Sequence, residues 1–273
     1  MFALYVVATP IGNLEDISLR GLRVLRSVKL IAAEDTRKTK RLLDNYDIRT
    51  PLTSYHEHNK FSKLEYLTHF LAGTGDVALV SDAGTPGVSD PGHELVVAAD
   101  KVGIPIIPIP GASVVITALS VSALPTDRFT YVGFLPRTAG ERRRMLDTLR
   151  DDRGTLVMFE APHRLRATLR DILSVLGDRK IAVCREMTKI HEEVFRGRMA
   201  DAVGHFTEPK GEFTLVIEGQ QATEKPELTA DIEYRLGKMR ERGVSAKEAI
   251  PQLSKETGLA RRELYRAWVD MGR

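Results

Sequence analysis

Nine short runs of apolar, largely β-branched residues alternate with amphipathic stretches of helical period along the first 220 positions. Strands joined by crossover helices produce this alternation, and it commits the chain to an α/β fold built on a mainly parallel sheet. The expected strands are Leu4–Thr9, Leu30–Ala33, Val77–Ser81, Ile104–Ile109, Thr130–Phe134, Thr155–Glu160, Ile181–Arg185, Glu193–Arg196 and Phe213–Glu218. Helical periodicity covers Ser18–Val28, Phe61–Leu71, Glu94–Val102, Ser113–Ser120, Arg142–Leu149 and Arg164–Leu176. A strand-poor joint, Ser122 to Arg128 with Pro125, divides the series, so the reading is two α/β domains, 1–121 and 122–222.

After Gln221 the pattern changes. Thr223-Glu224-Lys225-Pro226 reads as a polar linker, and 223–273 reads as a helical tail with helices over Thr229–Arg240, Ala246–Glu256 and Arg261–Val269. Gly243 and Gly258 mark the breaks, as in a helix-turn-helix appendage. Pro251 should kink or delay the middle helix, because it removes a backbone donor. Tyr234 and Trp268 are expected in the core of this tail.

Composition sets limits on the class. With 42% apolar and 28% charged residues the chain is globular, which excludes collagen and disorder. The apolar stretch Val102–Leu119 contains Pro105, Pro108, Pro110 and Gly111, so it cannot be a spanning helix. The first residues lack a basic leader. A single cysteine, Cys184, rules out an intrachain disulfide and points to a reducing cytoplasm. The net charge of +3 names no partner, so any nucleic-acid surface must come from local clusters.

The unusual residues gather just past the carboxyl ends of the expected strands. These are Thr9-Pro10-Ile11-Gly12-Asn13-Leu14, Glu34-Asp35-Thr36-Arg37, the long segment Asp82 to Gly92, and Pro110-Gly111-Ala112-Ser113. Ligands of open parallel sheets bind at such loops. The segment 82–92 is longer than a strand-to-helix turn needs. It is neither a Walker loop nor a dinucleotide fingerprint. Asp82 in it would oppose an anion and suit a cationic ligand.

These loops together resemble the tetrapyrrole methylase superfamily, and more closely its branch acting on small-subunit ribosomal RNA. The match continues in Gly133-Phe134-Leu135-Pro136-Arg137, Phe159-Glu160-Ala161-Pro162-His163-Arg164, Arg185-Glu186-Met187-Thr188-Lys189 and Gly211-Glu212. The resemblance implies an S-adenosylmethionine-dependent methyltransferase whose donor lies in a cleft between two α/β domains. It places the donor on Pro10, on Asp82, Ala83, Gly84 and Thr85, and on Gly111, Ala112 and Ser113, with Phe159 and Glu218 in the opposite wall. It further implies 2'-O-methylation of a cytidine ribose in the decoding region of 16S ribosomal RNA, a homodimer, and no DNA or membrane partner. The first loop lacks the glycine-rich form of the tetrapyrrole-modifying members, which argues against a porphyrin-like substrate.

Methyl transfer is a direct displacement and calls for alignment, with a base to take the hydroxyl proton. Glu34, Asp35, His56 and Lys189 are the candidates for that base, and Arg37 is a substrate clamp. Asn13, His56, Arg137, Arg142, Arg143, Arg144 and Arg164 are assigned to the RNA, with Arg37, Lys38, Lys40 and Arg41 forming a second basic cluster. His56-Glu57-His58 offers two metal ligands without a third, so no metal is expected. Cys184 reads as a buried core residue. Bulk charge across 224–273 is nearly balanced, which leaves the tail as a stability, dimer or RNA-docking element. Two competing readings are a small-molecule methyltransferase of the tetrapyrrole type and a non-catalytic RNA-binding ribosome assembly protein.

Overall fold

Buried residues alternate between the two faces of a five-stranded sheet, and this alternation sets where its helices pack. A computed structural model describes residues 2–221 and 228–271, so the linker segment 223–226 lies outside the described residues. The first sheet contains β1 (Leu4–Val7), β2 (Leu30–Ala33), β3 (Leu52–Ser54), β4 (Val77–Val80) and β5 (Ile106–Ile109). All pairs are parallel, in the order β3-β2-β4-β1-β5. Ala78 and Val80 face the helices α1 (Leu19–Ser27) and α2 (Thr36–Asn45), while Val77 and Leu79 face α3 (Lys60–Gly73) and α4 (His93–Lys101). The neighbouring strands β1 and β4 therefore send their next helices to opposite faces. A crevice opens between their carboxyl ends.

The second sheet departs from the expected parallel arrangement. Its strands are β6 (Phe129–Phe134), β7 (Thr155–Glu160), β8 (Lys180–Arg185), β9 (Glu193–Arg198) and β10 (Phe213–Ile217), in the order β6-β7-β10-β8-β9. Only β6 and β7 run parallel; the other three pairs are antiparallel. The cause is the connection between β8 and β9, which is a turn with no crossover helix, so β9 runs back along its neighbour. One face is covered by α6 (Ala139–Thr148), α7 (Pro162–Leu176) and α8 (Met199–His205), with Leu146, Leu165, Leu169, Ile172 and Met199 against Leu156, Met158, Val183 and Leu215.

The other face receives α5 (Val114–Val121), the helix that leaves the first sheet after β5. Val115, Ala118 and Leu119 of α5, joined by Ile11, pack on Val157, Ala182, Cys184 and Val216. Ala118 is fully buried and Leu119 nearly so. Burying each Val or Leu here contributes about 1.5–3 kcal/mol, so this layer is the main bond between the two sheets.

Four elements of residues 2–221 were not legible in the sequence pattern: β3, α2, α8 and the single 3-10 turn Leu14–Asp16. β3 has three residues and α8 seven, too short for a period to register. α2 is capped by Asp35 and buries Thr39, Leu42 and Leu43, but its remaining residues are so charged that it reads as a basic cluster.

The chain divides into two compact units, Met1–Gln220 and Gln221–Arg273. The second holds α9 (Ala230–Glu241), α10 (Ala246–Thr257) and α11 (Arg261–Asp270) around Ile232, Leu236, Ile250, Leu253 and Leu264. α10 continues through Pro251, since burial of Ile250 and Leu253 on either side outweighs the lost backbone bond. Gly258 ends it in the left-handed conformation. Trp268 packs against this small core, but Tyr234 is 65% exposed, with Lys238 over its ring, and is not a core residue.

The layer between α5 and the second sheet has no slack at Ala118. Ala118→Leu is expected to destabilise the protein by about 1–3 kcal/mol through overpacking. The midpoint of urea unfolding reads this directly, as a shift at unchanged slope.

Candidate active site

Two loops are tied together at the crevice. Thr9 and Gly84 exchange backbone hydrogen bonds at 2.8 and 3.0 Å, an isolated antiparallel bridge between the segments that follow β1 and β4. The Thr9 hydroxyl also donates to the carbonyl of Ser81 at 3.1 Å. Across from this bridge, the backbone of Gly12 presses on the turn after β8, where an added Cβ would stand 2.6 Å from Lys189 Cγ and 2.9 Å from the Met187 carbonyl. No side chain fits there. Asn13 N–H donates to Thr188 Oγ1 at 3.1 Å and completes the contact.

Between these loops and the second sheet lies a cavity of about 500 Å³. Its first wall comprises Ile11, Ala83, Gly84, Thr85, Val88, Ser89, Asp90 and the start of α5, Ser113 to Val115. Its second wall comprises Phe134, Phe159, Glu160, Ala161, Pro162, Cys184, Met187 and Glu212 to Thr214. The walls are mostly apolar with a few convergent polar groups, the make-up of a small-molecule site.

The structure brings Ala83, Gly84, Thr85, Ser113 and Phe159 together as expected from the sequence. Pro10, Asp82, Gly111 and Ala112 lie outside the lining. Glu218 is a correction: it lies past the far end of β10, where its backbone bonds Lys180 and its carboxylate stands 3.9 Å from the Lys180 ammonium. The cavity instead meets β10 at its opposite end, where Phe213 pairs with Glu160. Every residue of β10 is buried, so burial along the strand carries no mark of which end is open.

Charges are sorted among several carboxylates. Asp82 accepts the Asp35 N–H at 2.9 Å and the Lys38 ammonium at 2.7 Å, so its charge is already matched. Arg37 grips Asp35 with two bonds, 3.1 and 2.8 Å, and this hydrogen bonding holds the Asp35 carboxyl well below the usual range. Glu34 accepts the Asp82 N–H at 3.2 Å, and burial raises its pKa. Asp90 is the cavity carboxylate without an ion-pair partner among the described residues. Burial first, and the charge of Glu34 second, push it up to about 6. Sequence reasoning passed over Asp90 although it stands in the long segment Asp82 to Gly92, because which of two aspartates faces inward is a tertiary matter.

Lys189 stands at the rim, between Glu186 at 3.0 Å and Glu212 at 2.9 Å. Burial opposes its charge, yet the bonds from these carboxylates prevail and raise its pKa. It is held as a cation and is a poor proton acceptor. His56 lies on the loop after β3, with its backbone N–H on Asn59 and its ring edge-on to His58. Among the described residues no group of three His, Cys, Asp or Glu side chains is placed to hold a metal ion.

Two of the arginines assigned to RNA prove to be internal braces. Arg142 is 4% exposed, bonds Asp171 at 2.7 Å through Nε, and donates to the Arg137 carbonyl at 3.2 Å. Arg164 donates to the carbonyls of Leu135 and Pro136 at 2.7 and 3.0 Å and pairs with Glu160 at 3.2 Å. Successive residues on a helix point in different directions, and Asp171 gives the inward-facing Arg142 a buried partner. Arg143 is exposed yet shares Asp171, while Arg137 and Arg144 are exposed without an ion-pair partner among the described residues.

Residues 3–203 match the tetrapyrrole (corrin/porphyrin) methylases. The chain belongs to this family. It is 46% identical over 272 residues to the ribosomal RNA small subunit methyltransferase I of Halalkalibacterium halodurans, covering 96% of this chain and 93% of that one. It is 43% identical over 279 residues to the protein of the same name from Bacillus subtilis, covering 98% and 94%. Among solved structures, the uroporphyrin-III-C-methyltransferase of Thermus thermophilus superposes with a TM-score of 0.56 at 22% identity, over 79% of this chain and 94% of that one. That likeness shows the methylase fold. In this member of the family the crevice of the first sheet and the open end of the second form one cavity. No helix among the described residues is long and apolar enough to cross a membrane.

Asp90 makes stability depend on pH. Its folded pKa of about 6 stands above the unfolded value near 3.9, so the folded state binds the proton more tightly and stability falls as pH rises from about 4 to 6. Thermal unfolding across that interval should show Asp90→Asn losing this part of the slope relative to the parent. An unchanged slope would place the Asp90 carboxyl in water.

Proposed function

We propose that the protein is an S-adenosylmethionine-dependent methyltransferase that methylates the 2'-oxygen of a cytidine ribose in the decoding region of 16S ribosomal RNA. The observation that carries this reading is the cavity at the junction of the two sheets, in a chain more than 40% identical over nearly its whole length to proteins named ribosomal RNA small subunit methyltransferase I.

The residues present suit the donor. Val88, Val114, Val115 and Phe159 offer apolar walls for a nucleoside base, Ser113 and Thr214 offer hydroxyls, and Asp90 offers negative charge to a cation. The matched state of Asp82 moves that last role, assigned to it from the sequence, to Asp90. S-adenosylmethionine supplies an electrophilic methyl group on a sulfonium.

The chain's own task is to align the ribose oxygen and to accept its proton. Alignment is worth several kcal/mol in such a displacement. Among the groups nominated for the proton, Lys189 is held as a cation and Asp35 is a weak base because Arg37 stabilises its charge. Glu34, with its pKa raised by burial, is the better acceptor. Arg37, 87% exposed at the start of α2 although paired with Asp35, and the exposed Arg41 on the same helix offer cations to phosphates, whereas Lys38 and Lys40 are engaged by Asp82 and Asp44. Assembly as a homodimer, a cytoplasmic location and the domain limits 1–121, 122–222 and 223–273 belong to the same reading.

The decisive experiment incubates small ribosomal subunits lacking the modification with labelled S-adenosylmethionine and maps the label by nuclease digestion and mass spectrometry. Label on a cytidine ribose is expected; label on a base, or none at all, would overturn the assignment. Glu34→Gln should lower kcat by about 10²- to 10⁴-fold with donor affinity unchanged. Donor affinity, measured by calorimetry, should weaken as pH falls through about 6, since protonation removes the Asp90 charge, and Asp90→Asn should abolish that dependence.

A further inference from the structure

Phe134 is 59% exposed, lines the cavity, and reaches it through an irregularity in β6. Tyr131 and Phe134 are three residues apart, a spacing that a regular strand sends to opposite faces. The register against β7 shifts between them: Tyr131 pairs with Val157, but Gly133 pairs with Met158 and Phe134 with Phe159. Val132 is the extra residue, and it packs into the core on the other face. Without the bulge, Phe134 would face that core and leave the cavity. Bulges beside active sites re-aim side chains in this way.

The bulge is stabilised from two sides. Gly133 has φ of +73°, a conformation other residues adopt only with strain, and a Cβ there would lie 3.3 Å from the Ser89 hydroxyl. Ser89 in turn hydrogen-bonds the Tyr131 hydroxyl. The Phe134 ring meets Phe159 edge-on, with centroids 5.5 Å apart, and is the more exposed of the two. Beyond it, the carbonyls of Leu135, Pro136 and Arg137 are fixed by Arg164 and Arg142 from beneath. Arg137 itself is exposed and has no ion-pair partner among the described residues.

The geometry points to Phe134 as the stacking platform for an unstacked base of the RNA at the mouth of the cavity, with Arg137 on an adjoining phosphate. This rests on the proposed RNA substrate. An exposed aromatic beside a cation, on a rigid segment, is how single-stranded nucleotides are held. The exposure of the ring at the mouth favours RNA over the methyl donor as the platform's occupant, and separate measurement of donor affinity tells the two apart. Holding the base on Phe134 makes it a specificity-determining residue, separate from Phe159 deeper in the wall.

The test uses the full chain and four substitutions, Phe134→Ala, Phe134→Tyr, Phe134→Trp and Arg137→Ala. Stacking of one base is worth about 5- to 150-fold in binding. Phe134→Ala is therefore expected to lower kcat/KM for undermethylated small subunits within that range, with donor affinity by calorimetry within about twofold of the parent. Phe134→Tyr should recover most of the loss. Equal loss of donor affinity in Phe134→Ala would overturn the proposal and make the ring a donor platform; no change in either quantity would overturn it as well. If the parent protein transfers no methyl group to the subunit, the functional reading fails, and Phe134→Trp still reads the platform. Quenching of its added tryptophan fluorescence by a short cytidine-containing single-stranded RNA, weakened by Arg137→Ala, supports stacking, and absence of quenching refutes it.

Discussion

The apolar layer between α5 and the second sheet is the contact on which the rest of the structure depends. The cavity exists because Val115, Ala118 and Leu119 from the first sheet's last crossover are buried against Val157, Ala182 and Val216 of the second. Ile11, from the loop after β1, joins the same layer and lines the cavity, so the surface that unites the sheets is continuous with the floor of the site. Loss of this packing would separate two walls that have little polar chemistry in common.

Around that floor the polar groups divide into those that hold shape and those left over for a ligand. The bridge from Thr9 to Gly84, the pairs of Lys38 with Asp82 and of Arg37 with Asp35, and the clamp of Lys189 between two glutamates fix the loops. Arg142 and Arg164 do the same for the loop after β6. Asp90, Ser113, Phe134, Arg137 and Thr214 lack such internal duties. An ionised carboxylate kept in partial burial without a cation is unfavourable, which is why burial raises the Asp90 pKa.

Much of this was legible in the sequence where the signal was local. The strand cores were read to within a residue or two, since β-branched runs and their periods are set by neighbours along the chain. The loops at the strand ends announced themselves by glycine, proline and hydroxyl residues, and five of the nine positions placed on them or on Phe159's strand for the donor line the cavity. The errors fall where a distant partner decides the outcome. Arg142 looked like its exposed neighbours until Asp171, a helix away, took it inward. Asp82 and Asp90 are alike in the linear chain; the bonds from Asp35 and Lys38 to the first, and the place of the second in the cavity wall, distinguish them.

By itself, then, the sequence determined the α/β class, the order of most elements and the edge of the first sheet at which chemistry is concentrated, because each follows from periodicity and turn preference over a few residues. The tertiary structure alone decided the antiparallel second sheet, the inward-facing aspartate, the internal arginines and the face on which Phe134 emerges. Those depend on strand register and on burial against residues tens of positions away, and a one-residue shift in register is enough to reverse them.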